Sequence, residues 1–191
     1  MDFHTLCIGC RTYRRFKQKQ IPEEILDELL ENARIANSAM NGQPLRYVLV
    51  KTSEAVRKIQ PCFHFAAALP KELGQPKEGE QPAAFIILCT EGRETPWTGI
   101  DIGIAVRTMN LNAYVYGIGS CIIGNVEFEK VKEILSVPET WIPRLALALG
   151  YPSHKSTIVE LPEDGSVKYY LDEERQYYVP KRKRKDISII R

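Results

Sequence analysis

The chain has 191 residues, 44% of them hydrophobic and 26% charged, with a formal net charge of +2. That length suits one domain with a proper core, and so small a charge gives no global reason to expect nucleic-acid binding. The opening residues carry Asp2 and no basic region of a signal peptide, and no apolar run approaches a membrane span. Five cysteines, at 7, 10, 62, 89 and 121, suit a reducing cytosol better than a disulfide framework.

Residues 2–9 make a predicted short helix, followed by Cys10-Arg11-Thr12-Tyr13-Arg14-Arg15-Phe16, in which three arginines surround a hydroxyl. Pro22 opens the next helix with Glu23 and Glu24 complementing its dipole. Leu26, Leu29, Leu30 and Ala33 then recur at the spacing of one buried face. Between that helix and a strand over Leu45–Lys51 runs the polar loop Asn37-Ser38-Ala39-Met40-Asn41-Gly42-Gln43-Pro44. Taken alone it is an ordinary turn; its amides and hydroxyls would also suit a planar ligand with polar edges. Glu54–Ile59 reads as a short helix and Cys62–Leu69 as a further helical stretch. Prolines 70, 76 and 82 with glycines 74 and 79 then mark a polar excursion. Ala83–Thr90 is continuously apolar, as in a central strand.

Thr98–Asp101 has the form of a helix N-cap, which accounts for Asp101. From Ile100 to Tyr116 apolar residues lie nearly all round the helix, interrupted by Arg107, Thr108, Asn110 and Asn112. Such a helix belongs in a core or at a subunit interface. Gly117 ends it. Ser120–Ile123 and Leu145–Gly150 read as strands, with an amphipathic helix marked by Phe128, Val131 and Leu135 between them. Short strands or an extended arm follow at Val167–Leu171 and Tyr177–Val179. Without a linker or repeat, this is one α/β domain with a C-terminal arm.

Few motifs carry chemistry by themselves. Gly117-Ile118-Gly119 follows a helix rather than a strand and lacks the third glycine of a dinucleotide fingerprint. Cys7-Ile8-Gly9-Cys10 is half of a zinc site at most, so two incidental cysteines are expected. His4, His64 and His154 have no metal or catalytic spacing. Arg11, Arg14 and Arg15 around Thr12 suit a phosphate. The run Lys181-Arg182-Lys183-Arg184-Lys185 is either a solvated face or a polyanion-binding tail.

Five segments in order nevertheless resemble the nitroreductase family of FMN-dependent flavoproteins. They are Cys10–Phe16, Ala33–Leu45, the helix Ile100–Tyr116 running into Gly117-Ile118-Gly119-Ser120 and Gly124, Leu149-Gly150-Tyr151-Pro152, and Val179-Pro180-Lys181-Arg182. The sequence departs from the family pattern at Cys10, where an arginine is usual. Thr12 stands for serine, Asn37 for proline and Leu45 for tryptophan.

The resemblance implies an α+β fold, with a central, mainly antiparallel sheet flanked by helices. It further implies a single FMN-binding domain over 1–191, with a C-terminal arm over 165–191, and a homodimer with FMN at the subunit interface. Arg11 and Thr12 with Lys181 and Arg182 would hold the phosphate, and Arg14 the N1/O2 edge of the ring. Asn37, Ser38, Ala39 and Asn41 of the other subunit would line the ribityl chain and ring, with Gln43 at its polar edge. Backbone N–H groups near Ile123 and Gly124 would face N5, the reacting centre, so no catalytic side chain and no metal is expected. The implied activity is cytoplasmic: NADH or NADPH drives ping-pong reduction of a nitroaromatic, quinone or similar small-molecule acceptor, without nucleic acid or membrane. A flavin store or sensor, a dehalogenase and a flavin-degrading enzyme are the alternatives on the same fold.

Overall fold

One strand, Ala84–Glu91, is covered on both faces, and the two cores of the molecule form on either side of it. Phe85, Ile87 and Cys89 point one way, Ala84, Ile86 and Leu88 the other, and all six are fully or almost fully buried. The alternation is that of any strand; its apolar content on both faces is what double coverage demands.

The computed structural model describes residues 1–191, apart from the side chain of Lys71. In chain order the elements are α1 (Phe3–Gly9), β1 (Phe16–Lys17), α2 (Glu23–Arg34), β2 (Leu45–Val50), α3 (Ser53–Ile59), α4 (Lys71–Gly74) and β3 (Ala84–Glu91). Next come α5 (Thr98–Val115), β4 (Gly119–Ile123), α6 (Phe128–Ile134), β5 (Trp141–Pro152), β6 (Ser156–Glu160), β7 (Tyr170–Leu171) and β8 (Tyr177–Lys181). β2 and β5 flank β3, β4 lies beyond β5, and β1 pairs with the end of β5; every one of these pairings is antiparallel. Leu26 and Leu29 of α2 pack with Val106 and Met109 of α5 on one face of the sheet. Val56 and Ile59 of α3 and Val131 of α6 close the other. Each such side chain contributes about 1.5–3 kcal/mol by leaving water. This is the expected α+β arrangement. The arm is a separate three-stranded sheet in which β8 runs parallel to β6 and antiparallel to β7.

α5 is apolar all round, yet only part of it is covered. Ala105, Val106, Met109 and Ala113 are buried, while Ile100 stays 52% and Val115 55% exposed. The structure departs from the sequence expectations at several points. Cys62–Leu69 is not helical: a 3-10 turn at Gln60–Cys62 gives way to an irregular path, and the short helix comes later, at Lys71–Gly74. There, Glu127 N donates to Cys62 O and His64 N to Asn125 O at 3.0 Å each, and Phe63 and Phe65 are buried. Backbone pairing with residues 125–127 therefore replaces a local helix. β5 begins at Trp141 rather than Leu145, and β6 was not expected at all.

The arm is fastened to the body by buried charge. Arg15 lies 3.9 Å from Glu80 and donates to the Arg175 carbonyl, while Arg175 closes the triad with Glu80 at 2.8 Å. Beside it His154, 7% exposed, accepts the Arg14 N–H on Nε2 at 3.0 Å, with its Nδ1 2.9 Å from Lys155 O. An accepting Nε2 assigns the proton to Nδ1, which then donates to that carbonyl.

Burial lowers the His154 pKa from its ordinary 6.5 to about 4; the Lys155 carbonyl opposes that shift, and the charges of Arg15, Arg14 and Arg175 add to it. Between those two values the unfolded chain takes up the proton before the folded one. The stability contribution is thus complete above pH 6.5 and is lost as pH falls towards 4, by about 3 kcal/mol in all. Urea unfolding from pH 7 to pH 4 should therefore show a steeper acid-side loss in the native protein than in His154→Gln, which keeps an acceptor for Arg14 but cannot titrate.

Candidate functional site

The opening segment runs extended from Cys10 to Arg15 because it docks on the outer edge of β4. Thr12 bridges Ser120 in parallel, and Tyr13 N donates to Ser120 O at 2.9 Å. Gly119 permits that approach, since a Cβ there would come within 2.7 Å of the Tyr13 ring.

Docking creates a cleft of about 170 Å³ lined by Arg11, Thr12, Arg107, Asn110, Ser120 and Lys181, among others. Three chain segments far apart in sequence thus meet there. Arg11 donates from Nε and Nη2 to the Cys10 carbonyl and from Nη2 to Cys7 O at 3.2 Å, tying down the end of α1. Cys10 Sγ donates to Asn110 Oδ1 at 2.9 Å. Burial pushes this thiol's pKa up, with Arg107 acting against the shift. Cys10 is thus a protonated donor rather than a thiolate, and all five cysteines are free. No cluster able to hold a metal occurs among the described residues.

The cleft is cationic. Arg15, Arg34, Arg46, Arg144 and Arg175 each have a carboxylate partner. Arg11, Arg107 and Lys181 have none among the described residues. Three uncompensated cations around a hydroxyl-bearing hollow fit a small dianion such as a phosphomonoester. Arg182 is exposed and is not part of the lining, and Lys183 pairs with Glu160 at 3.5 Å. The basic run is therefore not one uniform strip.

Arg14 does not reach this cleft. Its guanidinium carbon stands 4.6 Å from the Tyr169 ring centroid and 4.8 Å from that of Tyr177, with Nε buried and unpartnered. Ile123 sends its side chain into the core, so only its backbone is available to a ligand. Gly124 is exposed, and a Cβ on it would meet nothing nearer than Leu145 Cδ1 at 3.9 Å.

The polar loop lies elsewhere, at the start of α5. Asp101 is buried and accepts the Ala39 N–H at 2.9 Å, so it anchors the loop; the expected capping role is overturned. Trp97 is the cap residue, without a side-chain bond, and Thr98 Oγ1 accepts from Thr95 N at 3.0 Å. Ser38 Oγ accepts from Gln43 N at 3.1 Å. Met40, Asn41 and Gln43 all have positive φ (54°, 54° and 45°), and Met40 is 96% exposed. Strain of this kind in a non-glycine loop is held in place by its surroundings. Asn37, Ser38 and Gln43 line a second hollow of about 150 Å³ together with Asp101 and Ala105. The predicted residues thus fall into two groups. Arg107, Asn110 and Ser120 are cleft residues that sequence reasoning did not assign; the only trace of Arg107 and Asn110 was as interruptions of an apolar helix.

The model of the nitroreductase family matches residues 9–151. An NADH dehydrogenase of Thermus thermophilus is 28% identical over 184 residues, covering 81% of this chain and 89% of the relative. An FMN reductase (NAD(P)H) of Bacillus subtilis is 26% identical over 169 residues, covering 76% and 64% respectively. Among solved structures, a nitroreductase family protein of Streptococcus pneumoniae superposes with a TM-score of 0.68 at 20% identity, covering 87% of this chain and 99% of that one. That likeness is one of fold.

Asp101→Ala should strand the Ala39 N–H and release the loop, at a cost of about 1–3 kcal/mol. Urea unfolding together with limited proteolysis at residues 37–44 checks it, and cleavage there should rise more than global stability falls.

Proposed function

The chain belongs to the nitroreductase family, and we propose that it works as an FMN-dependent NAD(P)H oxidoreductase whose acceptor is a nitroaromatic, a quinone or a similar planar compound. One observation carries this reading: the cleft of uncompensated cations at Arg11 and Lys181, with the Thr12 hydroxyl between the chain's first and last segments. It has the donors and the charge to hold the FMN phosphate. The FMN reductase relative supports the same cofactor.

Bound FMN supplies the hydride carrier between the nicotinamide and the acceptor; the chain's part is to hold, orient and shield. Arg11, Thr12 and Lys181 would hold the phosphate, while Arg182, the next residue after Lys181, lies outside the lining. Arg14, held against two aromatic faces and without a carboxylate partner among the described residues, would offer a cation to the N1/O2 edge. A fixed charge there stabilises the negative charge that reduction adds. The backbone at Ile123 and Gly124, at the free end of β4, serves the N5 side. No acid–base side chain is required of the protein.

The loop residues Asn37, Ser38, Ala39, Asn41 and Gln43 serve the site of a second copy. A helix turns by 100° per residue, so Asp101 and Asn110 emerge on roughly opposite sides of α5. The loop held by Asp101 and the cleft built on Asn110 are therefore poorly placed to enclose one flavin within one chain. Ile100, Ile104 and Val115, exposed on α5, supply apolar surface for a homodimer. Free thiols fit a cytoplasmic setting, and among the described residues no helix is long and apolar enough to cross a membrane.

Purified protein should be yellow, carry about one FMN per chain, bleach with NADH or NADPH under anaerobic conditions, and scatter light as a dimer. Colourless protein that takes up no added FMN overturns the reading; a flavin-loaded monomer overturns the shared site alone. Arg14→Ala should lower the flavin potential and slow the NAD(P)H half-reaction by at least about tenfold, while FMN retention changes less. Anaerobic stopped-flow and a reference-dye titration measure both.

A further inference from the structure

Arg107 projects from α5 into the cleft without any role in the reading above. Its Nη1 donates to Asn110 Oδ1 and stands 3.4 Å from Cys10 Sγ. The Nε and Nη2 groups have no hydrogen-bond partner among the described residues, and no carboxylate neutralises the charge. One arm of the fork is thus fixed on a buried amide while the other is free. An arginine held in this way is pre-organised for an oxyanion and loses little rotamer entropy on binding.

The amide it grips is itself oriented. Asn110, 5% exposed, accepts on Oδ1 from both Arg107 and the Cys10 thiol, which leaves Nδ2 to donate to Ser120 Oγ. Ser120 Oγ then serves as an acceptor towards Asn110, so its own proton is available to the cleft. Cys10, protonated, contributes no charge. The cationic character of this wall therefore comes from α5.

We propose that Arg107 is a phosphate-binding residue of the flavin site, donating to the FMN phosphate alongside Arg11, Thr12 and Lys181, and that through Asn110 it presents the Ser120 hydroxyl as a further donor. This rests on the FMN reading, and it makes Arg107 a determinant of FMN over riboflavin, which differs only in lacking the phosphate.

The test titrates FMN and riboflavin separately into apoprotein, following flavin fluorescence and the thermal shift that each ligand gives. Arg107→Gln keeps a donor for Asn110 but no charge; Arg107→Lys keeps the charge but not the fork; Arg144→Ala removes a paired surface arginine as the control. Arg107→Gln should weaken FMN at least tenfold and riboflavin less than twofold, and its thermal shift with FMN should shrink towards that with riboflavin. Arg107→Lys should fall between Arg107→Gln and the native protein, and Arg144→Ala should match the native protein. Equal losses for both ligands, or no loss for FMN in a protein that binds it normally, overturn the proposal and leave Arg107 as a support for Asn110. Native protein that takes up no FMN, or holds riboflavin equally well, overturns the reading beneath it as well.

Discussion

The site depends on one short backbone contact, the parallel bridge between Thr12 and Ser120 closed by the Tyr13 N–H. β4 follows directly on α5, so anchoring residues 10–15 to its edge sets Arg11 and Thr12 beside Arg107 and Asn110. β8 then brings Lys181 to the same place from the arm. The contact is available only because Gly119 has no side chain to hold Tyr13 off. A bulkier residue there would displace the segment that carries one wall of the cleft.

Paired and unpaired arginines play different parts in this placement. Away from the cleft, several arginines are neutralised, including the Arg15–Glu80–Arg175 triad that joins the opening segment, the excursion before β3 and the arm. That triad has a structural use: partly buried and linked through the Glu80 carboxylate, it specifies how three segments meet. Within the cleft, the same residue type is left without a counterion. A folded chain that keeps like charges close together gives up some stability, and a dianionic ligand returns it.

How far the sequence was legible depends on the range of the interaction responsible. β3 and α5 announced themselves because continuous apolar runs reflect burial whatever the partner. Cys62–Leu69 misled because its hydrophobics suit a helix, while the segment's backbone pairs with residues 125–127, more than sixty positions away. β6 escaped notice because its parallel partner, β8, follows only after an irregular connection. Asp101 matched a capping pattern locally, but its bond to Ala39 spans 62 positions. Arg11, Thr12 and Lys181 were identified through their resemblance to known motifs. Arg107 and Asn110 lie in a segment that carries the resemblance but were given no role there, because their pairing with Cys10 and Ser120 exists only in three dimensions.

The cleft draws on residues 10–12, 107–122 and 179–181, so it is incomplete in a chain that lacks either its opening segment or β8. Contacts of such sequence separation carry a large loop-closure cost and slow folding, and during synthesis the N-terminal part of the cleft must wait for nearly the whole polypeptide to emerge. If the cleft holds the flavin as proposed, loading is an act of completion, waiting for a chain folded from its first segment to β8. On the proposed reading, a nascent or truncated chain lacking β8 would be without Lys181 and so without one wall of the phosphate cleft.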